Sequence, residues 1–101
     1  MKSYASSKTI IMEVVWSPLS LLRYEEIKIY LIENFGKDSS NEFSDKLLSS
    51  VDLIAQNSAV GKKIYNDIRS LVVVKQISIH YQVNSQIEIL TLWDNRRAHI
   101  F

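Results

Sequence analysis

Two apolar runs decide the fold. Ile77-Ser78-Ile79-His80-Tyr81-Gln82-Val83 is followed, across Asn84-Ser85, by Ile87-Glu88-Ile89-Leu90-Thr91-Leu92-Trp93. Both are rich in β-branched and aromatic residues and read as strands. Asn84-Ser85 reads as a two-residue hairpin turn, because Asn tolerates positive φ. That turn pairs Tyr81 with Glu88, Ile79 with Leu90 and Ile77 with Leu92. One face then carries Ile77, Ile79, Leu90 and Leu92 and is predicted to pack on the rest of the chain, with Tyr81 on the same side. The other carries Ser78, His80, Gln82, Ile89, Thr91 and Trp93. With Ile87 added, that second face is too apolar to stand idle and is predicted to be an open binding surface. The competing reading has the tail, His99-Ile100-Phe101, folded back over it.

Upstream, Ile68–Lys75 reads as a third strand and Thr9 to Trp16 as a first one. Ser17-Pro18 is a helix start, with Ser as cap and Pro at the first helical position, where its missing N–H is not needed. Leu21, Tyr24, Ile27 or Lys28, Leu31 and Phe35 follow at helical spacing. Gly36 stops that helix, and a second is predicted from about Ser39 to Gln56, with Phe43, Leu47, Val51 and Ile54 as its stripe. The short link through Gly36 and Lys37 predicts an antiparallel helix pair. Asn57 to Gly61 breaks the pattern, and Gly61 is expected to hold a backbone shape that other residues avoid. The order β-α-α-β-β-β predicts an α+β domain, a helical hairpin on a twisted, mostly antiparallel sheet.

A chain of 101 residues with 47% hydrophobic and 23% charged residues is one ordinary globular domain. It has no cysteine, which removes disulfides, thiol nucleophiles and cysteine zinc sites and fits a reducing cytoplasm. Met1 to Thr9 is polar and does not read as a secretory signal, and no run approaches a spanning helix of roughly 20 apolar residues. A soluble, cytoplasmic protein with no membrane partner is therefore expected. Net charge is +1, but residues 17–57 carry four Lys/Arg against seven Asp/Glu, and residues 58–101 carry six against three. The second half is the part that suits an anionic partner.

Few chemistries have a foothold. Gly36 and Gly61 are the only glycines, so there is no phosphate-binding glycine loop. His80 and His99 have no metal-ligand spacing around them, and no cofactor is expected. Glu25 and Glu26 are adjacent on a helix, point apart, and read as a solvated face. The strand ending at Asp94-Asn95 releases Arg96 and Arg97 at a sheet rim, where guanidiniums suit phosphate, carboxylate or a partner protein. Arg69 either joins that rim or makes a surface salt bridge. His80 reads either as a surface residue or as a general acid or base for phosphodiester cleavage.

Several segments resemble the RelE/ParE superfamily of type II toxin–antitoxin toxins. They are Val14-Val15-Trp16-Ser17-Pro18, Tyr30-Leu31-Ile32-Glu33-Asn34-Phe35-Gly36 and Ile54-Ala55-Gln56-Asn57-Ser58-Ala59-Val60-Gly61-Lys62. Ile68-Arg69-Ser70-Leu71-Val72-Val73, Ile79-His80-Tyr81-Gln82-Val83 and Leu92-Trp93-Asp94-Asn95-Arg96-Arg97 complete the set. Ser58 stands where the family usually has proline. The resemblance begins at about Met12. It implies a toxin domain over 12–101, an extension over 1–11, and Met12 as the natural start.

The resemblance also implies a cognate antitoxin that neutralises the toxin, with operator DNA bound only through that antitoxin. It leaves two mechanisms. RelE-side members cleave mRNA on the ribosome with a cluster of Arg, Lys and Tyr or His; here Arg69, Lys75, His80 and Arg97 would have to supply it. ParE-side members poison DNA gyrase without such chemistry. The strand position of the catalytic arginine holds Ser78, which cannot supply a fixed positive charge. The ParE-like reading is therefore preferred. It makes Arg69, His80, Trp93, Arg96 and Arg97 candidates for binding target or antitoxin.

Overall fold

The computed structural model describes residues 11–96. The elements run β1 (Val14–Trp16), α1 (Pro18–Phe35), α2 (Lys37–Gln56), β2 (Lys62–Tyr65), β3 (Ile68–Val74), β4 (Ile77–Val83) and β5 (Ile87–Asp94). They form one five-stranded sheet in the order β1-β5-β4-β3-β2, with the helical hairpin on one face. The fold is the α+β arrangement predicted, with β2 as a strand the sequence did not announce. β1 runs parallel to β5, and every other neighbouring pair is antiparallel.

The helix start and stop signals act as read, but the expected α1 stripe loses both ends, since Leu21 and Phe35 are exposed and Ser20 is buried instead. Ser17 caps α1 by accepting a hydrogen bond from the Ser20 N–H (3.0 Å), with Pro18 at the first turn. Gly36 sits at φ +94°, a conformation that strains any residue with a Cβ, and it alone separates the two helices. α2 begins at Lys37, two residues before the predicted start. It buries Phe43, Leu47, Val51 and Ile54 against Ile79, Tyr81, Ile87, Ile89 and Leu92 of the sheet.

The β4–β5 hairpin departs from its predicted register. Its loop has three residues, Asn84 to Gln86, with Val83 paired to Ile87 and the Asn84 N–H donating to the Gln86 carbonyl (2.9 Å). Asn84 does not use the left-handed region; Asn66 does (φ 46°), in the two-residue β2–β3 turn. Tyr81 therefore faces Ile89, and a bulge at Leu90 shifts the pairing so that His80 faces Thr91 and Ile79 faces Leu92. Ile87 and Ile89 accordingly belong to the helix-side core and are fully buried. Leu90, predicted for the core, turns to the far face, where it lines a shallow apolar hollow with Ile64, Tyr65, Ile68 and Trp93. Ser17 holds this bulge. Its N–H donates to the Ile89 carbonyl (3.0 Å), and its Oγ donates to the Leu90 carbonyl (2.8 Å).

Gly61 is needed for space and not for an unusual φ. A Cβ there would lie 2.6 Å from the Tyr81 hydroxyl oxygen. That hydroxyl accepts from the Gly61 N–H (2.8 Å) and donates to the Ser58 carbonyl (2.8 Å). Burial pushes the Tyr81 phenol above its usual value of 10.0, against the opposing pull of the Gly61 hydrogen bond and of Arg69. The folded protein thus binds the phenolic proton more tightly than the unfolded chain. This contribution to stability is complete below about pH 10 and is lost as pH rises through the raised folded value. Tyr81→Phe is expected to lower unfolding free energy by about 1–3 kcal/mol, because the buried Gly61 N–H and the half-buried Ser58 carbonyl lose their partner. Urea denaturation at pH 7 and pH 11 checks both points. The variant is expected to lack the part of the alkaline decline that comes from Tyr81.

Candidate functional site

Sheet register sorts the sequence-predicted residues onto different faces. On β3, Arg69 pairs with Tyr81, and Ser70 pairs with His80. Neighbouring residues of a strand point to opposite faces, so Arg69 shares the helix side with Tyr81 while His80 looks the other way. Arg69 is also occupied. Its Nη1 donates to the Gly61 carbonyl (2.8 Å) and the Ala59 carbonyl (3.3 Å), which fastens the loop before β2. It lies at the opposite end of the sheet from Arg96. Arg69 pairs with Tyr81, whereas Asp94 pairs with Ile77, four residues and roughly 13 Å further along β4. The rim predicted to unite Arg69 with Arg96 does not form. Arg97 and His99-Ile100-Phe101 lie outside the described residues.

The face predicted to be open is closed around its polar centre. Ser78 is 1% and His80 6% exposed. The His80 ring is stacked on Trp93, with centroids 5.4 Å apart and planes at 15°. Ser78 Oγ donates to Asn95 Oδ1 (3.0 Å), and Asn95 Nδ2 donates to the Lys75 carbonyl (3.2 Å). The Asn95 N–H adds a bond to the Gln76 carbonyl (2.7 Å). Ser78 therefore serves to lock the end of β5 onto the β3–β4 turn. Lys75 is exposed on that turn and is the predicted residue that the fold brings to the Arg96 end of the sheet.

Arg96 is held in place by Asp94. Its backbone N–H and its Nε both donate to Asp94 Oδ1 (2.9 Å each), and its Nη2 donates to Oδ2 (2.8 Å). These charge-assisted bonds, with the adjacent carboxylate, hold the guanidinium above its already high ordinary pKa. The sequence reading treated Asp94 only as the end of a strand. The signal it missed is an Asp two residues ahead of an Arg, positioned to bond forward along its own backbone.

Arg96 stands at the mouth of a groove of about 630 Å³ between the helical hairpin and the ends of the sheet. Its apolar lining includes Leu19, Tyr30, Leu31, Phe35, Phe43 and Trp93. Three cations line it, and each faces a carboxylate of the same chain: Arg23 with Glu26 (2.8 Å), Lys46 with Glu42 (3.5 Å) and Arg96 with Asp94 (2.8 Å). A groove so lined is apolar and electrically balanced. It suits a largely apolar protein segment better than a phosphate backbone, whose binding rests on uncompensated cations. Among the described residues no cluster of metal-ligating side chains is present. Among those residues, too, no helix is long and apolar enough to cross a membrane.

The model of the ParE toxin of the type II toxin-antitoxin system, parDE, matches residues 14–99. The chain belongs to the ParE toxin family. Its fold is similar to a solved structure of the chromosomal ParDE toxin–antitoxin system from P. aeruginosa, with a TM-score of 0.72 at 15% identity over 85% of this chain and 98% of that one. It is also similar to the YoeB dimer from Staphylococcus aureus, with a TM-score of 0.59 at 17% identity over 88% of this chain and 98% of that one. At such identities these likenesses speak to the fold. No curated protein matches the sequence. As a ParE-family, type II toxin, the chain has an antitoxin as its expected partner.

The placement of Arg69 predicts a stability role. Arg69→Ala should lower the unfolding free energy by about 1–2 kcal/mol, through lost charge-assisted bonds to the Ala59 and Gly61 carbonyls. Thermal denaturation of the variant checks this. An unchanged midpoint would show that the loop does not depend on the guanidinium.

Proposed function

We propose that this ParE-family toxin arrests growth in the cytoplasm by binding DNA gyrase and holding it in its DNA-cleaved state. A cognate antitoxin silences it by laying an apolar segment into the groove beneath the helical hairpin. The observation that carries the reading is the separation of Arg69 from His80 by the sheet itself. A ribonuclease that uses the RNA's own 2′-OH needs a base and fixed cations converging on one phosphate. Here His80 is buried under Trp93, its neighbour Ser78 is tied to Asn95, and Arg69 fastens a loop on the other face. Among the described residues of the strands, no arginine lies on the His80 face.

Arg96, with Arg97 following it, is the proposed contact to gyrase, and Trp93 supplies apolar area beside it. The balanced charge of the groove supports a protein occupant, bound through Leu19, Tyr30 and Phe35. Operator DNA is then met only through the antitoxin. In this reading Met12 opens the toxin domain over 12–101, and residues 1–11 form an extension ahead of it.

The test uses purified toxin and gyrase from the same organism. Supercoiling should be inhibited, and cleaved DNA should accumulate on trapping. Arg96→Ala with Arg97→Ala should weaken inhibition by about tenfold or more, the size expected for interfacial arginines. Growth arrest on induction should weaken in parallel, with the thermal midpoint retained. Unimpaired gyrase at large excess of folded toxin would overturn the assignment. A double variant that still inhibits fully would remove the arginines from it.

A further inference from the structure

α1 carries a second apolar stripe that the fold does not use. Its inward stripe is Ser20, Tyr24, Ile27 and Leu31, all buried or half-buried. The opposite stripe is Leu22, Glu25, Ile29 and Ile32, spaced 3, 4 and 3 residues apart, with Leu21 beside it. Leu21, Leu22, Ile29 and Ile32 are 50%, 53%, 53% and 46% exposed. The 3-4-3 spacing is that of a coiled-coil seam, which calls for another helix and not for a strand or a flat surface. This stripe faces away from the groove, which takes Leu19, Arg23, Glu26 and Tyr30 from another flank of the same helix.

We propose that this stripe is a self-association surface, on which α1 packs antiparallel against α1 of a second copy across a two-fold axis. Glu25 in the seam and Lys28 beside it select that occupant. When two such helices pair antiparallel about Ile27, Leu22 of one meets Ile32 of the other, and Glu25 meets Ile29. Lys28 of each copy then reaches the axial level of the other's Glu25. Within one chain Lys28 Nζ already lies 3.1 Å from Glu25 Oε2. The dimer thus closes an alternating square of two Glu25 and two Lys28 at the axis, flanked at both ends by aliphatic pairs. A parallel arrangement is excluded by the same residue, since it would set Glu25 against Glu25 in the seam. Glu25 thereby fixes orientation and register, at some loss of stability, as a polar seam residue does.

The experiment is analytical ultracentrifugation of the purified chain and four variants at micromolar to hundred-micromolar concentration, with circular dichroism melts to verify folding. The native chain should form a dimer. Ile29→Glu should be monomeric, and Glu25→Lys or Lys28→Glu alone should weaken dimerisation by tenfold or so, as lost charge pairs at an interface do. The double swap, Glu25→Lys with Lys28→Glu, should restore it, an outcome that mere loss of an aliphatic surface would not give. A native chain that stays monomeric throughout would overturn the proposal. So would a dimer indifferent to Ile29→Glu and to both single charge changes. If the native chain is monomeric and Ile29→Glu abolishes antitoxin binding instead, the stripe belongs to the antitoxin and self-association is wrong.

Discussion

The hydroxyl of Tyr81 is the point on which the rest of this structure depends. It sits at the centre of the sheet, fully buried, and it satisfies two backbone groups of the loop between α2 and β2. The loop is largely exposed but ends on the buried Gly61, whose N–H water cannot reach and which the hydroxyl satisfies. The bonds require Gly61, since any side chain there would collide with the ring. They also place the Gly61 and Ala59 carbonyls within reach of Arg69. One buried phenol therefore fixes the loop, fixes where β2 begins, and commits an arginine that would otherwise be available for chemistry.

The second constraint is the bulge at Leu90. It lets Ile87 and Ile89 join Leu92 on the helix side, although an unbroken alternation would place Leu92 on the opposite face from them. Ser17 makes this affordable. The residue that caps α1 also binds the Ile89 and Leu90 carbonyls, so the helix start, the bulge and β1 are secured by one side chain and its backbone. The core below then closes with no polar side chain of the far face turned into it. On that far face, Trp93 covers His80.

Much of this was legible in the sequence, and the failures have physical causes. Helix limits were marked by Ser17-Pro18 and Gly36, whose effects are local. The stripe of α2 was marked by its 3.6-residue period. The sides of Ile79 and Tyr81 follow from alternation along β4, whereas Leu92 reaches its expected side only because the bulge at Leu90 offsets the three-residue loop. The register of β5 was not legible, because Asn84-Ser85 does not compel a two-residue loop and nothing local marks a bulge held by Ser17, some 73 residues distant. β2 escaped notice because Lys62–Tyr65 is exposed throughout and has no periodicity to show. The position of Gly61 was recognised, but its reason lay in a tertiary contact with Tyr81. Arg69 and His80 looked like one cluster because sequence cannot say that the sheet stands between them. Arg96 was foreseen at the rim, without the Asp94 clamp that aims it.

The proposed function needs no phosphodiester chemistry on the His80 face, and living cells test this. Transcript 5′ ends should be mapped genome-wide shortly after induction of the native toxin, alongside gyrase-linked DNA breaks in the same culture. Gyrase-linked breaks are expected, with no new transcript ends at fixed positions within translated codons. Codon-positioned cuts that disappear in a folded His80→Ala variant, with no rise in DNA breaks, would contradict that function.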